Sequence, residues 1–361
     1  MNRRLLDVLR APGTGEALEL FAFAGDGDVA EGILLARESR KAYPITGGVP
    51  MLLDGAFSAE FLSRHAAAIA ADATLSRLGL TAGTLRHSSF SDEWDEHFDA
   101  KLDRTWGWDV DNRIGQFLLE TRVDPEWCRG KWILDAGCGN GQLAEGLTRL
   151  GATVVGIDYA TSVLQAERHR KSPDVHFVRG DLQAPPFAEA MFDLIISHGV
   201  IYHTASTQRT FAAVARLVKP GGHFYLWFYR KPTGIVRRHL LFPAIETSRF
   251  LVSRSPRPVQ AAFVRLAAFA ALVMHKAMKK HQDLTWQERV IGTYDTLTPR
   301  WRHAHTPLEV SQWFFENGFS PATLTHWDNP FGFGVVATRL PETDTPGINF
   351  GRSGVTKRYG E

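Results

Sequence analysis

Three aspartates stand at the ends of apolar runs: Asp135 in "WILDAGCGNG", Asp158 in "VVGIDYA" and Asp181 in "VRGDL". Directly after the first come Gly137, Gly139 and Gly141, residues that permit positive φ and close approach of a ligand to the backbone. A carboxylate two places before Gly137 would repel a pyrophosphate, which disfavours a dinucleotide, but it suits a ligand carrying an ammonium or sulfonium charge. No Lys-Ser/Thr pair follows the glycines, so a phosphate-gripping loop is disfavoured as well. Asp158 has the chemistry to accept both hydroxyls of a ribose, and Asp181 to accept from an adenine amine while Leu182 covers the ring. Together they fit an adenosine with a cationic, amine-bearing tail, which describes S-adenosylmethionine. The plainer account is that aspartates often close strands as turn formers or caps.

For these carboxylates to converge, the chain must place them on one edge of a sheet. "KWILDAG", "ATVVGID", "VHFVRGD", "FDLIISHG" and "GGHFYLWFY" are short, apolar and β-rich, and helix-like stretches such as "GQLAEGLTRLG" and "STQRTFAAVARLV" separate them. That alternation predicts βαβ units and a parallel sheet covered on both faces, with ligands at the carboxyl edge. It stops after Tyr229 and resumes at "TPLEVSQWFFENGF", where Thr306 can cap a helix beginning at Pro307 and Gly318 can end it. Strand candidates "PATLTHW" and "FGFGVVATRL" follow. The domain reading is a small Gly-punctuated β-rich module at 1–60, a helical cofactor-capping segment at 61–130, a core at 131–229 and 306–340, a basic helical lid at 230–305 and a flexible tail at 341–361.

The run "ILDAGCGNGQLAEGL … VVGIDYA … VRGDLQAPPF … FDLIISHGVIYHT … LVKPGGHFYLWFY" resembles the class I S-adenosylmethionine-dependent methyltransferases. The resemblance implies a Rossmann-like seven-stranded α/β sheet with an antiparallel last strand. It also implies that Asp135 lies near the methionine ammonium, that Gly137 to Gly141 wrap the methionine part, that Asp158 holds the ribose, and that Asp181 and Leu182 frame the adenine. Cys138, Asn140, Tyr159, Ser197 and His198 fall among the cofactor-binding positions. Trp94, Trp106 and Arg113 fall on the segment that caps the cofactor in such enzymes, where Arg113 could pair with the methionine carboxylate. The N-terminal segment, ending "AYPITGGVPMLL", resembles the zinc-ribbon-like domain that partners some methyltransferases. Where that family has C-P-x-C, this chain has Ala11, Pro12, Gly13 and Thr14, so no metal site is expected.

Methyl transfer to oxygen or nitrogen requires an aligned acceptor, and a base where the acceptor must lose a proton. "SHGVIYHT" delivers His198, Tyr202 and His203 to the ligand edge, and either histidine could be that base or serve structure alone. Cys138 is not expected to act as a nucleophile. In "YDTLTPRWRHAHTPLEV", Tyr294, Asp295, Arg300, His303 and His305 could return polar groups to the pocket, and His305 is singled out. The Asn-Pro-Pro-Tyr motif of transfer to base or amide nitrogen is missing, which favours oxygen or carbon acceptors.

Only two cysteines, Cys128 and Cys138, rule out a disulfide framework and favour a cytoplasmic setting. A formal net charge of +2 argues neither for nor against nucleic acid, but its distribution is uneven: 230–281 holds eleven Lys and Arg against one acid, Glu246. Such a lid suits an anionic or lipid-like small-molecule acceptor and a peripheral membrane contact. The expected function is methylation of a small organic acceptor, with oxygen as the expected acceptor atom. Competing readings are an RNA methyltransferase, from the basic lid, and a non-catalytic partner subunit that keeps the fold. A homodimer is a further expectation.

Overall fold

The computed structural model describes residues 1–85, 90–91, 104–105, 108–277, 284–326, 329 and 331–341. Its centre is built from the strands with the most continuous apolar runs. β1 (Glu19–Ala24), β2 (Glu31–Ala36), β3 (Lys41–Thr46) and β4 (Val49–Leu52) come first, then a two-stranded hairpin, β5 (Arg104–Thr105) and β6 (Trp108–Asp109). The core strands are β7 (Trp132–Ala136), β8 (Thr153–Asp158), β9 (Val175–Gly180), β10 (Phe192–His198), β11 (Val218–Tyr229), β12 (Thr323–Thr325) and β13 (Gly332–Thr338). Every residue of β9 is buried, as is the middle of β7, β8 and β10, because helices cover both faces of a parallel sheet.

The main sheet runs β1-β2-β3-β4-β9-β8-β7-β10-β11-β13-β12. Strands β9, β8, β7, β10 and β11 are parallel, and β13 is antiparallel to both β11 and β12. These are the seven strands and the antiparallel last strand that the resemblance implies. Strand order reverses beside β7, with β8 on one side and β10 on the other, which opens a crevice at the carboxyl ends of β7 and β10.

The N-terminal segment departs from the expectation of a separate small module. β1 to β4 form an antiparallel meander, and β4 then pairs in parallel with β9 through Met51↔Arg179 and Leu52↔Gly180. Leu5, Leu34, Tyr43 and Ile45 share one buried cluster with Leu134, Val155 and Val178 of the core. The meander thus extends the sheet and shields the edge that β9 would otherwise leave open.

Helices pack around the sheet and in the insertion after β11. α1 (Ala59–Arg64) and α2 (Ala66–Ala71) follow the meander, and α3 (Val110–Thr121) precedes β7. α4 (Gln142–Leu147), α5 (Ser162–Arg168) and α6 (Thr207–Ala215) are crossovers. The insertion after β11 is helical: α7 (Phe242–Val252), α8 (Arg257–Ala277) and α9 (Trp286–Leu297). α10 (Pro307–Glu316) starts where its signals predict, with a capping box between Thr306 and Glu309 and proline in the first turn. Trp94, Trp106 and the tail beyond Pro341 lie outside the described residues.

Candidate active site

The turn after β7 is shaped by what a side chain would strike. Gly137 has φ +96°, and a Cβ there would lie 2.2 Å from Val200 Cγ2, on the loop that follows β10. The Gly137 and Cys138 amides donate to the Ile157 carbonyl at 2.8 and 3.1 Å, which locks the turn against the end of β8. Asp158 Oδ2 accepts from the Gly139 amide and Oδ1 from the Ala160 amide, both at 2.9 Å. Each oxygen keeps a further lone pair, so the carboxylate can still accept hydroxyls. Burial raises its pKa despite these bonds.

Asp135 ends β7 with 5% of its surface exposed. Burial pushes its carboxyl up to about 7, against the pull of the Arg113 guanidinium from α3. Arg113 is in turn lowered by burial and held up by Asp135 and Glu120. A buried carboxyl of this kind is a place where a ligand's positive charge would be well compensated.

A cavity of about 330 Å³ opens beside this turn. Gly137, Cys138, Asn140 and Asp158 line it together with Arg113 and Gln116 from α3. Phe90, Trp108, Val200, Tyr202, Trp227 and Tyr229 supply an apolar, mostly aromatic surface, while His198, His203 and Asp295 add titratable groups.

The two histidines are held differently. His203 Nδ1 lies 2.8 Å from the Trp301 carbonyl. A carbonyl only accepts, so Nδ1 carries the proton and the neutral ring keeps its Nε2 lone pair. Nε2 has no hydrogen-bond partner among the described residues, and Asp295 Oδ1 stands 3.6 Å away. Burial lowers the His203 pKa, with Asp295 opposing, so the neutral ring is favoured. Asp295 comes from α9 and also accepts from the Tyr229 hydroxyl at 2.9 Å. His198 instead stacks on Trp227, with ring centroids 5.6 Å apart, and its Nε2 lies 3.5 Å from Glu120 Oε1. Glu120 is buried, which would raise its pKa, but His198 and a hydrogen bond from Gln116 bring it down to about 2. His326 Nε2 reaches the same Glu120 oxygen at 2.9 Å.

A family model for a methyltransferase domain matches residues 134–226. The ubiquinone biosynthesis O-methyltransferase of Thiobacillus denitrificans is 32% identical over 181 residues, which cover 48% of this chain and 72% of that protein. The chain belongs to the class I S-adenosylmethionine-dependent methyltransferases. The protein of the same name from Pectobacterium carotovorum is 33% identical over 132 residues, covering 33% of this chain and 54% of the relative, so the match spans about half of that protein's length. Among solved structures, an S-adenosylmethionine-dependent methyltransferase from Mesorhizobium loti is 18% identical, with a TM-score of 0.40, and the match covers 64% of this chain and all of that one.

Seen as a methyltransferase, the chain brings Gly137, Cys138, Asn140, Asp158, Arg113, His198 and His203 to one cavity, with Asp135 at the end of β7 beside its turn. Several other sequence candidates stand outside the cavity lining. Asp181 turns back on its own loop, accepting from the Gln183 amide at 2.8 Å, and Leu182 is buried in the main core. The buried Ser197 hydroxyl donates to the Ala136 carbonyl at 2.8 Å, tying β10 to β7, and the Tyr159 carbonyl accepts from Arg179 Nε at 3.0 Å. Gly139 and Gly141 shape the turn from behind, where a Cβ on Gly141 would meet Phe177.

His305 lies outside the cavity lining. Its Nε2 lies 3.1 Å from Thr207 Oγ1 and its ring packs edge-on to Trp313, 4.9 Å between centroids, with burial lowering its pKa to about 4. The chain bridges Arg230 to His305 at the end of β11, and the side chain is used between α6 and α10. Of the residues named in that segment, Asp295 is the one that lines the cavity. Sequence reasoning missed Gln116, Glu120, Trp108 and Trp227. A buried acid between helix positions would have been the only signal for Glu120, and amphipathic spacing alone does not separate it from a solvated face.

Proposed function

We propose that this chain transfers a methyl group from S-adenosylmethionine to a hydroxyl of a small, largely apolar aromatic acceptor of the quinone-precursor type, with His203 as general base. The observation that carries the reading is the free Nε2 of a neutral, buried His203 in the same cavity as the Gly137 turn and Asp158. The residues present fit the cofactor: the buried Asp135 carboxyl answers an ammonium, Asp158 a pair of hydroxyls and Arg113 a carboxylate. When bound, the cofactor supplies an electrophilic methyl group on a sulfonium. The chain's task is to orient the acceptor hydroxyl, exclude water and remove one proton. His203 Nε2 would take the proton that the acceptor hydroxyl loses on methylation. Asp295 then faces the imidazolium across 3.6 Å and stabilises it, while Trp301 holds the ring's orientation through Nδ1. Trp227, Tyr202 and Tyr229 suit an aromatic ring, and the names of the curated relatives point to the same acceptor class.

The test is methylation of a panel of ortho-dihydroxy arenes by the whole chain, with product identified by mass spectrometry. His203→Ala should lower kcat by about 10²-fold or more while leaving S-adenosylhomocysteine affinity within about twofold. Wild-type rate should fall as pH drops through the lowered His203 pKa, because protonation occupies Nε2. Equal losses of kcat and cofactor affinity in the variant would make His203 a structural residue.

A further inference from the structure

The lid has two apolar faces, and only one of them is covered. On α8, Val264 and Ala268 pack with Val290 and Tyr294 of α9. The opposite side carries Val259, Phe263, Leu266, Phe269 and Val273, each 41 to 66% exposed. These recur every three or four residues, so they form one continuous stripe along a helix about 31 Å long at ~1.5 Å per residue. Ile245, Phe250 and Leu251 extend the exposed apolar surface onto α7. Soluble monomers rarely leave so many large apolar side chains open together.

Cations border the stripe. Arg238, Arg254, Arg265 and Lys276 are exposed, and α8 contains no acid. The one acid of this region, Glu246, is engaged by Arg249 and Arg302. We propose that this face docks flat on an anionic phospholipid bilayer, its apolar side chains entering the acyl boundary and its cations meeting headgroup phosphates. Charge complementarity selects that occupant. A second copy of the chain would set the same cations against one another, whereas an anionic surface attracts all of them. α8 is long and apolar enough by length and composition to cross a membrane, but its inner face is already packed on α9 and Arg265 lies midway along it. An in-plane position satisfies both facts. The proposal is independent of the acceptor: it holds whatever the cavity methylates.

Flotation of the whole chain with vesicles tests it, using phosphatidylcholine alone and phosphatidylcholine with phosphatidylglycerol. The chain should float with the anionic vesicles and far less with the neutral ones. A triple Phe263→Ser, Leu266→Ser, Phe269→Ser variant should lose roughly tenfold or more in partitioning, given what burying such side chains contributes. An Arg265→Glu, Lys276→Glu variant should lose binding to the anionic vesicles specifically. Both variants should keep wild-type Tm and S-adenosylhomocysteine affinity, since the altered residues are exposed. Absence of flotation, or flotation unchanged in the triple variant, overturns the proposal. So does resistance to alkaline carbonate extraction, which would mean a spanning helix, and so does a concentration-dependent dimer that the triple variant abolishes.

Discussion

At the scale of single residues, the site is a set of buried ionisable groups held in defined states by their neighbours. Asp135 has its pKa raised to about 7 by burial, and a ligand ammonium would favour its ionised form. Binding must then release a proton over the range where the free site is still protonated. Affinity for S-adenosylhomocysteine should therefore rise by up to about tenfold per pH unit below 7 and level off above it. Calorimetry in buffers of different ionisation enthalpy reads the released proton directly, and Asp135→Asn should abolish both effects. A pH-independent affinity in the wild type would remove Asp135 from the cofactor site. His203 is the complementary case, a ring kept neutral by burial and oriented by one backbone carbonyl.

At the scale of elements, the site depends on a few close approaches. The β7 turn can run against the loop after β10 only because Gly137 has no Cβ. Gly137→Ala combines a positive φ with a 2.2 Å clash against a stiff valine side chain. It should cost about 1–3 kcal/mol of stability and lower cofactor affinity at least tenfold. Thermal melts with and without S-adenosylhomocysteine check this, and a variant that binds as the wild type does would show that the turn can yield. The lid matters at the same scale: α9 returns Asp295 to the cavity from 66 residues beyond Tyr229, the residue it bonds.

At the scale of the whole molecule, the buried histidines and the buried Asp135 carboxyl pull stability in opposite directions in acid. Burial brings His176 and His305 down to about 4 from an ordinary value of 6.5. The unfolded chain therefore binds protons that the native chain refuses between those values, and stability falls as pH drops through 6.5 and on towards 4. Glu120 acts in the same direction: its pKa of about 2 contributes stability above 4.5 that is lost as pH falls towards 2. Each histidine adds a slope of up to about 1.4 kcal/mol per pH unit below pH 6.5. The raised Asp135 carboxyl opposes this between about 7 and its ordinary 3.8. The histidine contribution is therefore read as the difference in Tm between wild type and variant. Replacing His305 by Gln should flatten part of that decline; an unchanged slope would mean that His305 titrates normally.

What could be read without coordinates was set by local rules. Apolar runs alternating with amphipathic ones specify strands and crossovers, and the glycines after Asp135 specify a turn that needs positive φ, so β7 to β13 and the cofactor edge followed from the chain itself. Thr306, Glu309 and Pro307 likewise announce α10 by capping chemistry alone. Only the tertiary structure decided which distant groups meet. The pairing of β4 with β9, the burial of Glu120 between His198 and His326, the meeting of Asp295 with His203 and the diversion of His305 to Thr207 all join residues far apart in sequence. Periodicity says which face of an element is apolar, but not what is packed against it. The outer stripe of α8 is the clearest case, since its pattern would suit a core helix and only the fold leaves it open.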